Sequence, residues 1–279
     1  MQLTPRYGTD PLITLDGAPR DIGIPAIRQR RRLATTLTTF TDEQWAHPSR
    51  CEGWSNRDVI VHLDSTNSFW TFTISEGLRG APTQLLATFD PVSSPAQLVA
   101  GASDRTTQEV LSSFSASTSA LTDLWESLGD DGWAATAEAP PGHVNVSTVT
   151  HHALWDSWVH ERDILLPLGM APVEEADEIS ACLRYAAALG PALAVNNGSA
   201  RRGLLGIDVT RPGVAAAVEV GDCVRVRSAA QGAPDVTLTG GAVALLEALS
   251  IRTPLQQSIP AEHRWMLTGL AEVFDSTQP

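Results

Sequence analysis

The sequence contains no lysine. All 19 of its basic residues are arginine, set against 32 acidic ones, for a formal net charge of −13 over 279 residues. Arginine without lysine reads as GC-biased codon usage. The acidic balance excludes a basic nucleic-acid footprint at the level of the whole chain. The one dense basic run, RQRRR at 28–32, is expected to decorate the outer face of a helix. No apolar run approaches the roughly 20 residues of a membrane span. The start, MQLTPRYGTD, lacks a basic segment followed by an apolar one, so no signal peptide is expected. Cysteine is scarce as well. Cys51, Cys182 and Cys223 are odd in number and far apart, which gives neither a disulfide framework nor a CxxC zinc site. The expectation is a soluble cytoplasmic protein, monomer or homodimer, with no nucleic-acid or membrane partner.

What is present suits one large domain or two ordinary ones: 43% of the residues are hydrophobic and 18% charged. Ile24 to Phe40 has helical apolar spacing. Thr41 with Gln44, and Ser55 with Asp58, read as capping boxes. The second predicts a helix from about Asn56 through Trp70 towards Gly77. A loop over 77–94 precedes a long helix from Pro95 to Leu128, with a break expected around 113–117. An irregular stretch at 129–143 leads to a helix from about Ser147 to Leu165. Four helices with long connections suggest a bundle, whose interior can hold a metal. After PLGMAP at 167–172 comes a helix from about Val173 to Val195. The pattern then changes to LLGIDV, AAAVEV, CVRVRS and DVTLTG, short β-like runs, with helices at 241–249 and 260–273. The expected fold class is α+β: a helical bundle over 1–168 and a small α+β domain over 169–279.

The chemistry gathers in HHALWDSWVHERD, 151–163. Residues three or four apart share a helix face, so His152, Asp156, Val159, His160 and Asp163 form one stripe, with Trp155 at its edge. Two ligands at i and i+4 lie beside one ion, a spacing met by Asp156 with His160 and by His152 with Asp156. The bland reading is a face of solvated or hydrogen-bonded polar groups. His62, two turns into the capped helix at 56–70, is the best third ligand and completes a set of two histidines and one carboxylate. Its apolar setting equally suits a satisfied core histidine. His47 and His143 are lone loop histidines, and His263 is expected on a surface. Cys51 reads as a small packing residue.

Three segments carry a resemblance. WAHPSRCEGWSNRDVIVHL (45–63), GAPTQLLATFDP (80–91) and D-x-x-x-H-x-x-D (156–163) together resemble the mycothiol-dependent metalloenzymes, which include maleylpyruvate isomerases and belong to the DinB-like bundle superfamily. The match covers about 20–165. TLTGGAVALLEALSIRTPL (237–255) resembles the family's appended α+β domain more loosely. The resemblance implies a DinB-like four-helix bundle, with His62 and His160 as metal ligands. Asp156 stands where the family usually has glutamate, which leaves His152 as a reserve ligand. Where the family commonly has a Gly-Arg pair in its site, this chain reads Ile251-Arg252, so Arg252 is carried over.

The implied function is that of a metal-dependent enzyme with mycothiol as thiol cosubstrate and a divalent ion, zinc first, as cofactor. A free thiol is mostly protonated at neutral pH, and a divalent cation deprotonates it. The thiolate would attack a small electrophilic metabolite, giving S-transfer or conjugation; expulsion of the thiol after rotation would give cis–trans isomerisation of a maleylpyruvate-like substrate. A non-catalytic metal- or ligand-binding module and a metal hydrolase are the alternatives. Asp163 is placed to orient His160. Arg252, Arg57 and Arg105 are candidates to bind carboxylate or polar groups, and Trp70 and Trp155 to wall a pocket.

Overall fold

The computed structural model describes residues 3–274. A short strand, β1 (Ile13–Leu15), precedes helix α1 (Gly23–Leu37) and the short α2 (Asp42–Ala46). Helix α3 (Asn56–Leu78) begins where the sequence predicts. The Ser55 hydroxyl accepts from the Asp58 amide at 3.3 Å, and the Asp58 carboxylate accepts from the Ser55 amide at 3.0 Å. A cap of this kind contributes about 1 kcal/mol. Then come α4 (Ser93–Ala100) and α5 (Thr107–Ser127). The expected break at 113–117 is absent; the chain breaks at 101–106 instead. Thr106 and Glu109 form a third capping box there and start α5 afresh.

The stretch expected to be irregular holds α6 (Asp130–Ala134) and a hairpin of β2 (Thr136–Ala139) with β3 (Gly142–Asn145). Helix α7 (Val146–Leu165) carries the histidine stripe. The helices α1, α3, α5 and α7 pack as the bundle, with α1 against α5 and α7, and α3 against the same two. Gly77 permits the hairpin to sit on α3, since a Cβ there would stand 2.1 Å from the Thr136 carbonyl oxygen.

Helix α8 (Ala176–Asn196) links the bundle to a five-stranded sheet. Its strands are β4 (Gly203–Thr210), β5 (Val214–Val220), β6 (Val224–Arg227) and β7 (Val236–Gly241), followed by α9 (Ala242–Leu249) and α10 (Trp265–Val273). The order is β1-β6-β5-β4-β7; β4 to β6 pair antiparallel, while β1 and β7 pair parallel at the two edges. Helices α9 and α10 pack on α8. The fold is α+β, as the sequence predicts. A boundary at 168/169 does not divide two separate cores, however. Strand β1 lies in the second unit's sheet, and one apolar core runs from Trp133, Trp158 and Trp70 through α8 to Leu205, Val218 and Leu238. A second cluster, around Leu33, Trp45, Ile60 and Phe114, fills another part of the bundle.

The arginine run at 28–32 only partly decorates an outer face: Arg31 is exposed, while others of the run turn inward. Arg30 is fully buried and donates to the Ala153 carbonyl at 2.8 Å. Arg32 pairs with Glu161 at 3.0 Å and Glu178 at 2.7 Å, tying α1 to α7 and α8, and Arg28 and Arg31 are paired with Glu178 and Glu126. Among the described residues, no helix is long and apolar enough to cross a membrane.

Candidate metal centre and its cavity

The packing of α3 on α7 brings His62 to the stripe. Asp156 Oδ1 lies 3.9 Å from His62 Nε2 and 3.5 Å from His160 Nε2. One ligand atom from each of the three residues lies within 4.8 Å of the other two. A tetrahedral ion with bonds near 2.0–2.1 Å places its donors roughly 3.4 Å apart, so a slight contraction would close this set. Asp156 Oδ2 is buried and has no hydrogen-bond partner. A buried carboxylate oxygen left so is costly unless a cation compensates it. Two imidazoles and a carboxylate suit zinc and several other divalent ions. The residues therefore fit a divalent metal.

Electrostatics agree with the geometry. Burial pushes the Asp156 carboxyl up, but His62, His160 and His152 outweigh it and hold the group well below the usual carboxylate range. On His160, burial opposes the charged ring, yet the Cys51 sulfur, Asp163 and Asp156 push its pKa up to about 10. Without a cation, the site answers its own negative charge with a proton on His160.

The other side of the His160 ring is held firmly. Its Nδ1 lies 3.0 Å from Asp163 Oδ2, and an ionised carboxylate can only accept, so Nδ1–H donates and Nε2 faces the metal set, where a cation would take the place of its proton. Asp163 is fully buried. It accepts from Arg252 Nε at 2.9 Å and Arg252 Nη2 at 2.8 Å, and pairs with Arg50 Nε at 3.3 Å. Burial pushes this carboxyl up too, but His160 and Arg252 bring it below the usual range. Cys51 Sγ donates to Asp163 Oδ2 at 3.3 Å and lies 3.6 Å from His160 Nδ1. Cys51, read from the sequence as packing, thus touches the site from behind. Its place in the C-E-G-W-S turn before α3 was the available signal, but no spacing rule connects it to His160.

His152 is not gathered with the three. Its Nδ1 lies 2.8 Å from the Tyr185 hydroxyl, and its ring packs edge-on against Trp70 and Tyr185 and tilted against Trp155. Burial holds its pKa down at about 4. Arg57 and Arg105 do not reach the site. Arg57 Nη2 donates to the Ala102 and Arg105 carbonyls at 2.6 Å each, and Arg105 pairs with Asp64 at 3.5 Å; both fasten the turn between α4 and α5. His143 is buried in β3, with Nε2 3.0 Å from the Thr83 carbonyl oxygen, and His47 lies in an exposed turn.

The three residues open onto a cavity of about 470 Å³ bounded by α3, α7, α10, the segment 85–98 and the turn 250–252. Trp70, Trp155 and Arg252 line it. Glu138 holds one wall in place: fully buried, it accepts from Tyr7, Thr83 and the amides of Leu85 and Leu86 at 2.6–2.9 Å. Ile251, also in the lining, has φ +54°, a left-handed conformation that is strained for a β-branched residue.

Residues 27–165 match the family model described as the mycothiol maleylpyruvate isomerase N-terminal domain. The helical bundle belongs to this family. The crystal structure of the mycothiol-dependent maleylpyruvate isomerase superposes with a TM-score of 0.60 at 16% identity, covering 84% of this chain and 90% of that one. A histidine-to-alanine mutant of that isomerase matches with a TM-score of 0.59 over the same shares. At this identity the likeness is one of fold, and it spans both the bundle and the sheet. No curated protein sequence matches the chain.

Proposed function

We propose that this member of the family is a mycothiol-dependent metalloenzyme that activates the thiol for addition to an electrophilic carbon. The observation that carries the reading is the convergence of His62 Nε2, Asp156 Oδ1 and His160 Nε2 on the wall of a cavity. A divalent ion held by these residues would supply a positive centre with open positions that keeps a thiol sulfur deprotonated. The chain's own residues do the rest. Asp163 fixes the His160 tautomer, and Arg252 fixes Asp163 through two donors. Trp54 packs against His62, with ring centroids 5.5 Å apart.

Addition to a carbon–carbon double bond, rotation and loss of the thiol together amount to cis–trans isomerisation. The family match and the shared fold favour this outcome. Retention of the sulfur gives a thioether instead, the outcome of conjugation. The three unpaired cysteines fit a reducing cytoplasm. Metal analysis of freshly purified protein, with incubation in mycothiol and candidate electrophiles, tests the proposal. Bound metal together with either a thioether or a rearranged product supports it. Metal-free protein, or mycothiol affinity unchanged by His160→Ala, would overturn it.

A further inference from the structure

The cavity is asymmetric. Its polar end is the trio His62, Asp156 and His160; its far walls are Phe69, Leu86, Phe89, Leu189, Leu193 and Leu270. Most of the remaining polar lining groups are already partnered inside the protein; the Trp70 indole N–H, buried and without a partner, is an exception. Ser65 and Thr66 donate back to carbonyls of their own helix at 2.7 and 3.1 Å, and Ser250 accepts from the Trp155 indole at 2.8 Å. His152 is bonded to Tyr185. Arg252 is the one cation in the lining among the described residues, and its head is committed to Asp163 and to the Ser250 carbonyl. A carboxylate placed in the far part of this cavity would lose its hydration and meet few donors and no uncommitted arginine among the described residues.

Ile251 adds to the asymmetry. Its φ of +54° would strain no glycine, yet a branched apolar side chain occupies the position and faces the cavity beside Arg252.

We propose that the cavity takes an apolar substrate, one bearing an alkyl chain or an aromatic ring, and excludes small dicarboxylates. The substrate's polar, reactive end lies at the trio and its apolar part among Phe89, Leu189 and Leu193. This deepens the thiol-addition reading and rests on it only for the reaction, since the preference for apolar ligands is a property of the walls.

Binding alone tests it, without turnover. Zinc-supplemented full-length protein is titrated with 2-nonanone, an unreactive apolar ketone, and with maleate, followed by tryptophan fluorescence and thermal shift. The expected result is saturable 2-nonanone binding at least tenfold tighter than maleate binding. That binding should be lost in Leu193→Trp, which fills the apolar part; Leu189→Ala, which enlarges it, serves as the second variant and should shift the preference to a longer ketone. Maleate binding as tight as 2-nonanone, or no saturable ketone binding, overturns the inference. A separate incubation with mycothiol and trans-2-nonenal distinguishes the two readings. Ketone binding without bound metal or any thiol-dependent product sinks the thiol reading and sustains the apolar cavity.

Discussion

The Nδ1 of His160 stands 3.0 Å from Oδ2 of Asp163, one turn further along the same helix. This pairing decides which nitrogen of His160 is left for a metal. Asp163→Asn should keep a polar group in place but remove the charge that fixes the tautomer and answers Arg252. Metal affinity is expected to fall about 10–100-fold, measured by competition with a chromogenic chelator. Affinity unchanged within twofold would contradict the orienting role.

Asp156 is the position where this chain departs from the resemblance noted in its sequence. Asp156→Glu should retain a stoichiometric divalent ion, because a longer carboxylate can still reach a site with open positions. Asp156→Asn should abolish stoichiometric binding while leaving the protein folded. Metal content by mass spectrometry together with circular dichroism separates the two variants.

His151 and His152 both have folded pKa values near 4, driven down first by burial. An unfolded histidine titrates near 6.5, so below that pH the unfolded chain binds more protons than the folded one. Their neutral burial therefore costs nothing above about pH 6.5, and stability is lost as pH falls from there towards 4. The depressed Asp156 and Asp163 carboxyls extend the loss below the ordinary carboxylate range. Urea denaturation in chelator across pH 4–7 should show falling stability on acidification, with a shallower slope in His152→Gln. A flat profile would refute the assignment.

Ile251→Gly removes a partly buried branched side chain and releases a left-handed residue from strain. The strain costs about 1–2 kcal/mol, which offsets most of the lost packing. The net change should lie within about 1 kcal/mol, well short of the 2–5 kcal/mol usual for truncating a core isoleucine. Chemical denaturation gives the number.

Glu138→Ala strips the acceptor from Tyr7, Thr83 and two loop amides at once. Each buried donor left unpaired costs about 1–3 kcal/mol, so a loss of roughly 3 kcal/mol or more is expected. Hydrogen exchange at Leu85 and Leu86 should rise with it; unchanged protection would refute the clamp.

Much of the site was legible because it is local. The i, i+3 and i+4 spacing of Asp156, His160 and Asp163 follows from helix geometry alone, and the Ser55 box placed His62 two turns into its helix. Arg252 was reached through resemblance; no spacing connects it to Asp163. Tyr185 and Ser250 were out of reach, since tertiary packing alone brings them in, and for Cys51 the turn before α3 gave only a hint. The reverse failure has the same origin. Arg57 and Arg105 are sequence candidates for a polar ligand, but the carbonyls of a turn claim one and Asp64 claims the other. Arg30 shows how far packing can override pattern: inside a charged run that reads as solvated, it faces the bundle core with Nε and Nη1 unpartnered. In the fold, β1 and the hairpin at 136–145 were missed because strands of three or four residues carry too little periodicity to register.

The pairing of Ile13 with Val224 has a bearing on how the protein is made. The edge strand is made long before its neighbour, with the bundle and strands β4 and β5 between them in the chain. The helices between them can associate as they emerge, but the sheet's outermost ladder must wait until β6 is made. Contacts of such long range are slow to form. A chain arrested before β6 is made would carry β1 with its edge unpaired, open to a mistaken partner, and a bundle whose core still lacks its sheet-side wall.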